Sequence, residues 1–247
     1  MSEATLRQEW RACLRFLRFP GPCRLPGRSS ALSGWACDWI GSIPVRRLFG
    51  WALTLWAINL LALGPFVLAV FEQSGATHRI DVSHLPWLQA IVWGPIVEEL
   101  LFRYGLRRPA AAIWMVPLLV LVLVYGLVWW ATTILAAVVL LSSWIAKSSR
   151  GPSAAGFRWL RRYARIFPVV FHLVALAFAA VHLRNFVFDE VAGWMMIVLV
   201  APQWVTGLVL GWVRVTRGVG ASMLLHGVFN TGPLAVAWLA FQFLGDF

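Results

Sequence analysis

The chain has 247 residues, 60% of them hydrophobic and only 13% charged, with a mean hydropathy of +0.76. A soluble domain carries about a quarter charged residues, so a water-soluble monomer is excluded. The net charge is +11. No soluble basic domain accompanies it, so it reads as the Lys/Arg bias of cytoplasmic loops and not as a nucleic-acid surface.

Residues 1–48 form a basic, cytoplasmic N-terminal segment. Leu6, Trp10, Leu14 and Leu17 recur there at helical spacing, with Arg7, Arg11, Arg15 and Arg18 as a stripe beside them. That pattern predicts an amphipathic helix lying on an anionic membrane face. Cys13, Cys23 and Cys37 show no C-x-x-C spacing, so neither a disulfide framework nor a structural zinc site is expected. The first long apolar run begins near Phe49, too deep for a cleavable signal peptide.

Residues 49–85 hold a first transmembrane helix, Phe49–Phe71, and an outer loop. A crossing needs about 20 apolar residues. Pro86–Leu106 is a second span and carries Glu98, Glu99 and Arg103. As a single helix the apolar run Ala110–Ala146 would be about 55 Å long. It therefore reads as a hairpin turning near Tyr125-Gly126. Residues 110–165 are thus an inserted hairpin followed by a basic loop, in which Phe157–Phe167 predicts a second interfacial helix. Ile166–Leu183, Val191–Val213 and Val219–Leu244 complete about seven spans of an all-α polytopic bundle. Arg107, Arg108, Lys147–Arg165, Arg214 and Arg217 fall on the inner side, and Arg79 and Arg184 on the outer. This places the N-terminus inside and the C-terminus outside, with a bacterial inner membrane the expected location.

Of ten acids, only Glu98 and Glu99 lie within a span. Charge at membrane depth marks function and calls for a partner. Arg103 is four residues from Glu99, on the same helix face. Glu98 points about 100° away. The spacing assigns Glu99–Arg103 a structural role and Glu98 a chemical one, with a purely structural ion network as the competing reading. His182, His226 and Asn230 lie on two later spans, and His226 and Asn230 share a face. Together these groups supply a general base, a second proton carrier and oxyanion donors. They also compose a two-His, one-carboxylate zinc set. His172 faces another side of its helix, and His78 and His84 read as loop histidines.

Glu98-Glu99-Leu100-Leu101-Phe102-Arg103 matches E-E-x-x-x-R, Phe178–His182 matches F-x-x-x-H, and His226–Asn230 matches H-x-x-x-N. In this order on apolar helices, the chain resembles the CPBP family of intramembrane proteases. This is also called the Abi or CAAX-protease family, and it includes the CAAX prenyl endopeptidase and bacteriocin-processing proteins. The resemblance covers about Pro86–Leu244, making 86–247 the protease-like core. It implies Glu98 as the catalytic glutamate, with His182 helping to activate water. It also implies His226 and Asn230 as oxyanion donors and Glu99–Arg103 as the pair that holds the site. The long interval 104–181 between the first and second motifs departs from the family's usual short connection.

The expected activity is an intramembrane endopeptidase acting on a membrane-embedded or lipid-anchored protein or peptide, without a required cofactor. Zinc is the alternative cofactor. A non-catalytic immunity or partner-binding protein of the same fold is the alternative function, and a small transporter with a glutamate–histidine relay is a third. The metal-free reading is preferred because the chain has no H-E-x-x-H helix.

Overall fold

The computed structural model describes residues 5–22, 34–40, 44–75, 77–79, 85–148, 154–188 and 192–244. Cys23, His84, Asp81, Asp189, Glu190 and Phe247 lie outside these residues, as does the side chain of His78. In chain order the helices are α1 (Leu6–Arg18), α2 (Gly34–Trp39), α3 (Val45–Ser74) and α4 (89–103). They continue with α5 (Pro109–Tyr125), α6 (Trp129–Ser148), α7 (Ala154–Val181), α8 (Gly193–Arg217) and α9 (Val219–Leu244). A tight turn over Tyr104–Leu106 follows α4, and another over His182–Asn185 follows α7. Two-residue strands, β1 (Thr77–His78) and β2 (Phe186–Val187), pair antiparallel.

The all-helical bundle and its membrane character follow from composition. Among the described residues four helices are long and apolar enough to cross a membrane: Val45–Ser74, Arg158–Asn185, Gly193–Arg217 and Val219–Phe243. Four is fewer than the seven spans expected from the sequence. The 110–146 run turns at Gly126, whose φ of 73° ends α5 where the sequence places the hairpin turn, and its two arms are shorter apolar helices. The 86–106 run is set apart by three charged side chains, Glu98, Glu99 and Arg103, and its helix has wide turns at Gln89–Trp93 and Glu99–Arg103.

The two basic segments take definite places. The apolar stripe of α1 packs on the bundle through Leu6, Trp10 and Leu17, while Leu14 is 56% exposed. Trp10 lies tilted against Trp51 with ring centroids 5.1 Å apart, Phe16 meets Phe171 edge-on at 5.2 Å, and Cys13 joins the core with Leu55 and Trp212. The large aromatics of α3, α7 and α8 offer that stripe a dry partner, while Arg7, Arg11, Arg15 and Arg18 stay exposed. The basic stretch at 157–167 is not a separate helix. It forms the first turns of α7, which runs on through Pro168, with Arg158, Arg161, Arg162 and Arg165 exposed.

The helix ends sort into two sets. At one end α1 and α2 meet the start of α3, the exit of α4 and the end of α8: Glu9 pairs with Arg47 and Arg217, and Asp38 with Arg108 and Arg214. Trp35 of α2 also donates to Ser143, near the end of α6. At the opposite end the β1–β2 bridge ties the exit of α3 to the exit of α7, and the Gly126 turn lies against Gln89 at the start of α4.

Candidate active site

The site is built where α4, α7 and α9 meet, and proline chemistry in α4 shapes it. Pro95 has no N–H, so it cannot close a helical bond to the preceding turn. Gly94 donates back five residues to the Gln89 carbonyl, which leaves the Ala90 carbonyl without a helical donor. The Asn230 amide supplies one at 2.8 Å. The α9 backbone also comes close at Gly227, where a Cβ would sit 2.6 Å from the Ile91 oxygen. One widened turn thus seats the H-x-x-x-N face of α9 against α4. Wide turns of this kind collect at functional sites.

Glu99 and Arg103 are fully buried and paired. The second Glu99 oxygen accepts from Ser222, and His226 Nδ1 lies 3.0 Å from the first. Both carboxylate oxygens are therefore occupied. The Arg103 guanidinium rests over the Phe178 ring, 4.0 Å from its centroid, a cation–π contact that joins the first and second motifs.

Glu98 is placed differently. Its side chain is 17% exposed, and Oε2, although itself buried, has no hydrogen-bond partner among the described residues. His226 Nε2 is 3.7 Å from that oxygen. His226 therefore stands between the two glutamates. Because Glu99 is held as an acceptor by Arg103 and Ser222, the Nδ1 proton points to Glu99 and Nε2 faces Glu98. His182 Nδ1 is 2.7 Å from the Phe178 carbonyl. A carbonyl only accepts, so Nδ1 carries the hydrogen and Nε2 is left with its lone pair.

Glu98, His182 and Asn230 line one cleft of about 900 Å³, together with Asn59, Leu60 and Val67 of α3, Gln203 of α8 and Leu234 of α9. A space of this size with mostly apolar walls and a few converging polar groups is the usual form of a ligand site. His226 is 2% exposed and lies behind Glu98, away from the cleft wall.

All six residues singled out in the sequence converge here. His172 does not: its Nε2 donates to the Leu17 carbonyl at 3.2 Å and ties α7 to α1. Sequence reasoning missed Ser222, although it precedes His226 by the same four residues that separate His226 from Asn230. It also missed Asn59, which bonds Leu55 O and Thr206 Oγ1, because α3 lies outside the motif-bearing region. Among the described residues no three His, Cys, Asp or Glu side chains form a group able to hold a metal ion, and Glu98, His182 and His226 are not such a group. Comparisons with family models, with curated proteins and with solved structures find no match.

Proposed function

We propose that this protein is an intramembrane endopeptidase of the CPBP type, which hydrolyses a peptide bond in a membrane-embedded or lipid-anchored substrate. The observation that carries the reading is the contrast between adjacent glutamates. Glu99 is saturated by Arg103, Ser222 and His226, while Glu98, in the wall of a cleft shared with His182 and Asn230, keeps Oε2 without a hydrogen-bond partner among the described residues. A free carboxylate beside an imidazole lone pair is the equipment of general-base chemistry.

In this mechanism Glu98 accepts a proton from water as the water oxygen bonds to the scissile carbonyl carbon. His182 Nε2 orients that water. Asn230 keeps one amide N–H beyond the one given to Ala90, and directs it to the developing oxyanion. His226, fixed through Nδ1 on Glu99 and set behind Glu98, backs Glu98 and shares the proton, in place of the oxyanion role that the resemblance implies for it. The C–N bond then breaks and the proton passes to the leaving amine. No metal takes part.

The membrane arrangement belongs to the same proposal. Seven apolar segments run between the two faces of a bacterial inner membrane. The Arg-rich end with α1, α2 and the end of α8 is cytoplasmic, and the end with the β1–β2 bridge is outside. The sorting of helix ends into two sets supports this parity, with α5 and α6 as the two arms of a hairpin. Reporter fusions at Arg158 and after Leu244 are expected on opposite faces; the same face for both would refute the count.

The activity is tested by labelling new protein N-termini in host membranes that carry either the wild type or Glu98→Gln. Termini present with the wild type and absent with Glu98→Gln are expected. Identical termini in both, with biological activity retained by Glu98→Gln, would replace the enzyme with a partner-binding protein.

A further inference from the structure

α2 has six residues and lies outside every motif, yet it touches both halves of the site's scaffold. Asp38 is 3% exposed and grips the guanidinium of fully buried Arg214 with both carboxylate oxygens. The same guanidinium donates to two backbone carbonyls at the exit of α4: Nε to Arg103 O at 3.1 Å and Nη2 to Tyr104 O at 3.3 Å. These carbonyls belong to the turn where α4 ends; that of Tyr104 also accepts from the Arg107 and Arg108 amides, so Arg214 adds side-chain donors to an exit that the backbone itself closes. Arg214 therefore works as a C-terminal cap on the helix that carries Glu98 and Glu99, and Asp38 holds the cap in place.

The other half is the start of α9. The α8–α9 turn passes through Gly218, with φ of 105°, a backbone state that disfavours any side chain. A Cβ at Gly218 would lie 2.5 Å from the Asp38 carbonyl oxygen, and one at Gly220 would lie 1.9 Å from that of Trp39. The α2 backbone thus presses directly on the two glycines that precede Ser222 and His226. Trp39 closes the contact with its ring 6.1 Å from that of Tyr104. Arg108 adds a second, looser cation to Asp38 at 3.6 Å.

We infer that Asp38 and Arg214 are positioning residues for the proposed reaction: acting through the Arg103 and Tyr104 carbonyls, they set the register of α4 against α9, and so the placement of Glu98 and Glu99 relative to His226. The inference rests on the proposed function for its catalytic consequence, but its structural core is independent of it. The contacts form one continuous chain, from Asp38 to Arg214, to the backbone of Arg103, and through the Arg103 side chain to Glu99, Ser222 and His226. The pair touches no part of the cleft wall, so it shapes the site without meeting a substrate.

The test uses the full-length protein in detergent or nanodiscs, with Asp38→Asn, Asp38→Glu and Arg214→Lys. Lysine keeps the charge but cannot span a carboxylate and two carbonyls at once. Hydrogen exchange is read by segment. Asp38→Asn and Arg214→Lys should each speed exchange of amides in 103–108 and 219–226 by about tenfold or more, leaving the α5–α6 hairpin at the wild-type rate. Asp38→Glu should restore part of the protection. Cleavage, where the wild type shows it, should fall in kcat with KM little changed, because the cleft wall is untouched.

Unchanged exchange in 103–108, or full protection retained with lysine at 214, would overturn the cap. A uniform rise across all helices, or failure of both variants to accumulate as folded protein, would also overturn it, by making the pair a general fold determinant. Absence of cleavage by the wild type would count against the proposed function alone, since the exchange pattern is read without it.

Discussion

The protein buries carboxylates in two regions, and the regions treat them oppositely. At the N-terminal end Glu9 is held by the Trp51 indole, Arg217 and Arg47, and Asp38 by Arg214 and Arg108. Both carboxylates there are gripped through both oxygens. At the candidate site only one of two adjacent glutamates is treated that way. Glu99 is saturated, and Glu98, in the wall of a cleft, keeps Oε2 without a hydrogen-bond partner among the described residues. Satisfying a buried charge stabilises a fold; leaving one half-satisfied costs stability and is retained where the group must exchange protons. Glu9, Asp38 and Glu99 are thereby set apart from Glu98, the acid proposed to react, without reference to any motif.

The largest effect should come from exchanging charge for shape at each glutamate in turn. Glu98→Gln removes the base but keeps the volume, so turnover should fall by about 10²–10⁴-fold with thermal stability unchanged or raised. Glu99→Gln should do the reverse and lower the melting temperature, because it strands Arg103. Equal stability losses in the two variants would erase the distinction drawn between them.

Next is Arg103→Ala. It leaves a buried carboxylate uncompensated and should cost about 3–5 kcal/mol. Folded protein in the membrane should decline accordingly. Wild-type abundance and melting temperature would show that the pair does not carry that load.

Glu9→Gln probes the N-terminal acids. Its arginine partners are partly exposed, so the loss should be smaller, about 1–3 kcal/mol for hydrogen bonds to a charged group. A larger loss than that of Arg103→Ala would invert the ranking of the two regions.

The smallest effects concern titration at the N-terminal end. Burial alone would push the Asp38 carboxyl up, but the charge and hydrogen bond of Arg214, with Arg108 and Arg107 nearby, outweigh it and hold the group below the usual carboxylate range. A depressed native pKa stabilises the fold above the unfolded value, about 3.9, and that contribution is lost as pH falls through the native one. The stability difference between wild type and Asp38→Asn should therefore be flat from pH 7 to pH 5 and shrink only below about 4. A difference that vanishes near pH 6 would contradict the pairing. In the same region burial pushes the Cys13 thiol up to about 12. Cys13 should resist maleimide in the native protein and react once it is denatured; rapid native labelling would mean that α1 undocks.

The amino-acid sequence by itself determined the helical, membrane-spanning character, and it proposed the residues of the candidate site. Apolar runs of about 20 residues admit little else, and so few charges occur within them that Glu98, Glu99 and Arg103 stand out. The i,i+4 spacings of Glu99–Arg103 and His226–Asn230 follow from helix geometry alone. The tertiary structure decided everything that depends on who faces whom. The sequence pattern could not show that the stripe of α1 finds aromatic partners in the bundle, because lipid and protein interiors are equally apolar to it. Nor could it show that Asn230 serves a carbonyl released by Pro95, or that Glu99 bonds Ser222 and His226 besides Arg103. Those bonds join residues more than a hundred positions apart. Hydropathy likewise counted seven spans, whereas among the described residues four helices are long and apolar enough to cross unaided. The turn at Gly126 was legible as a hairpin, but the widened turns around Pro95 are local backbone events that a window average smooths away.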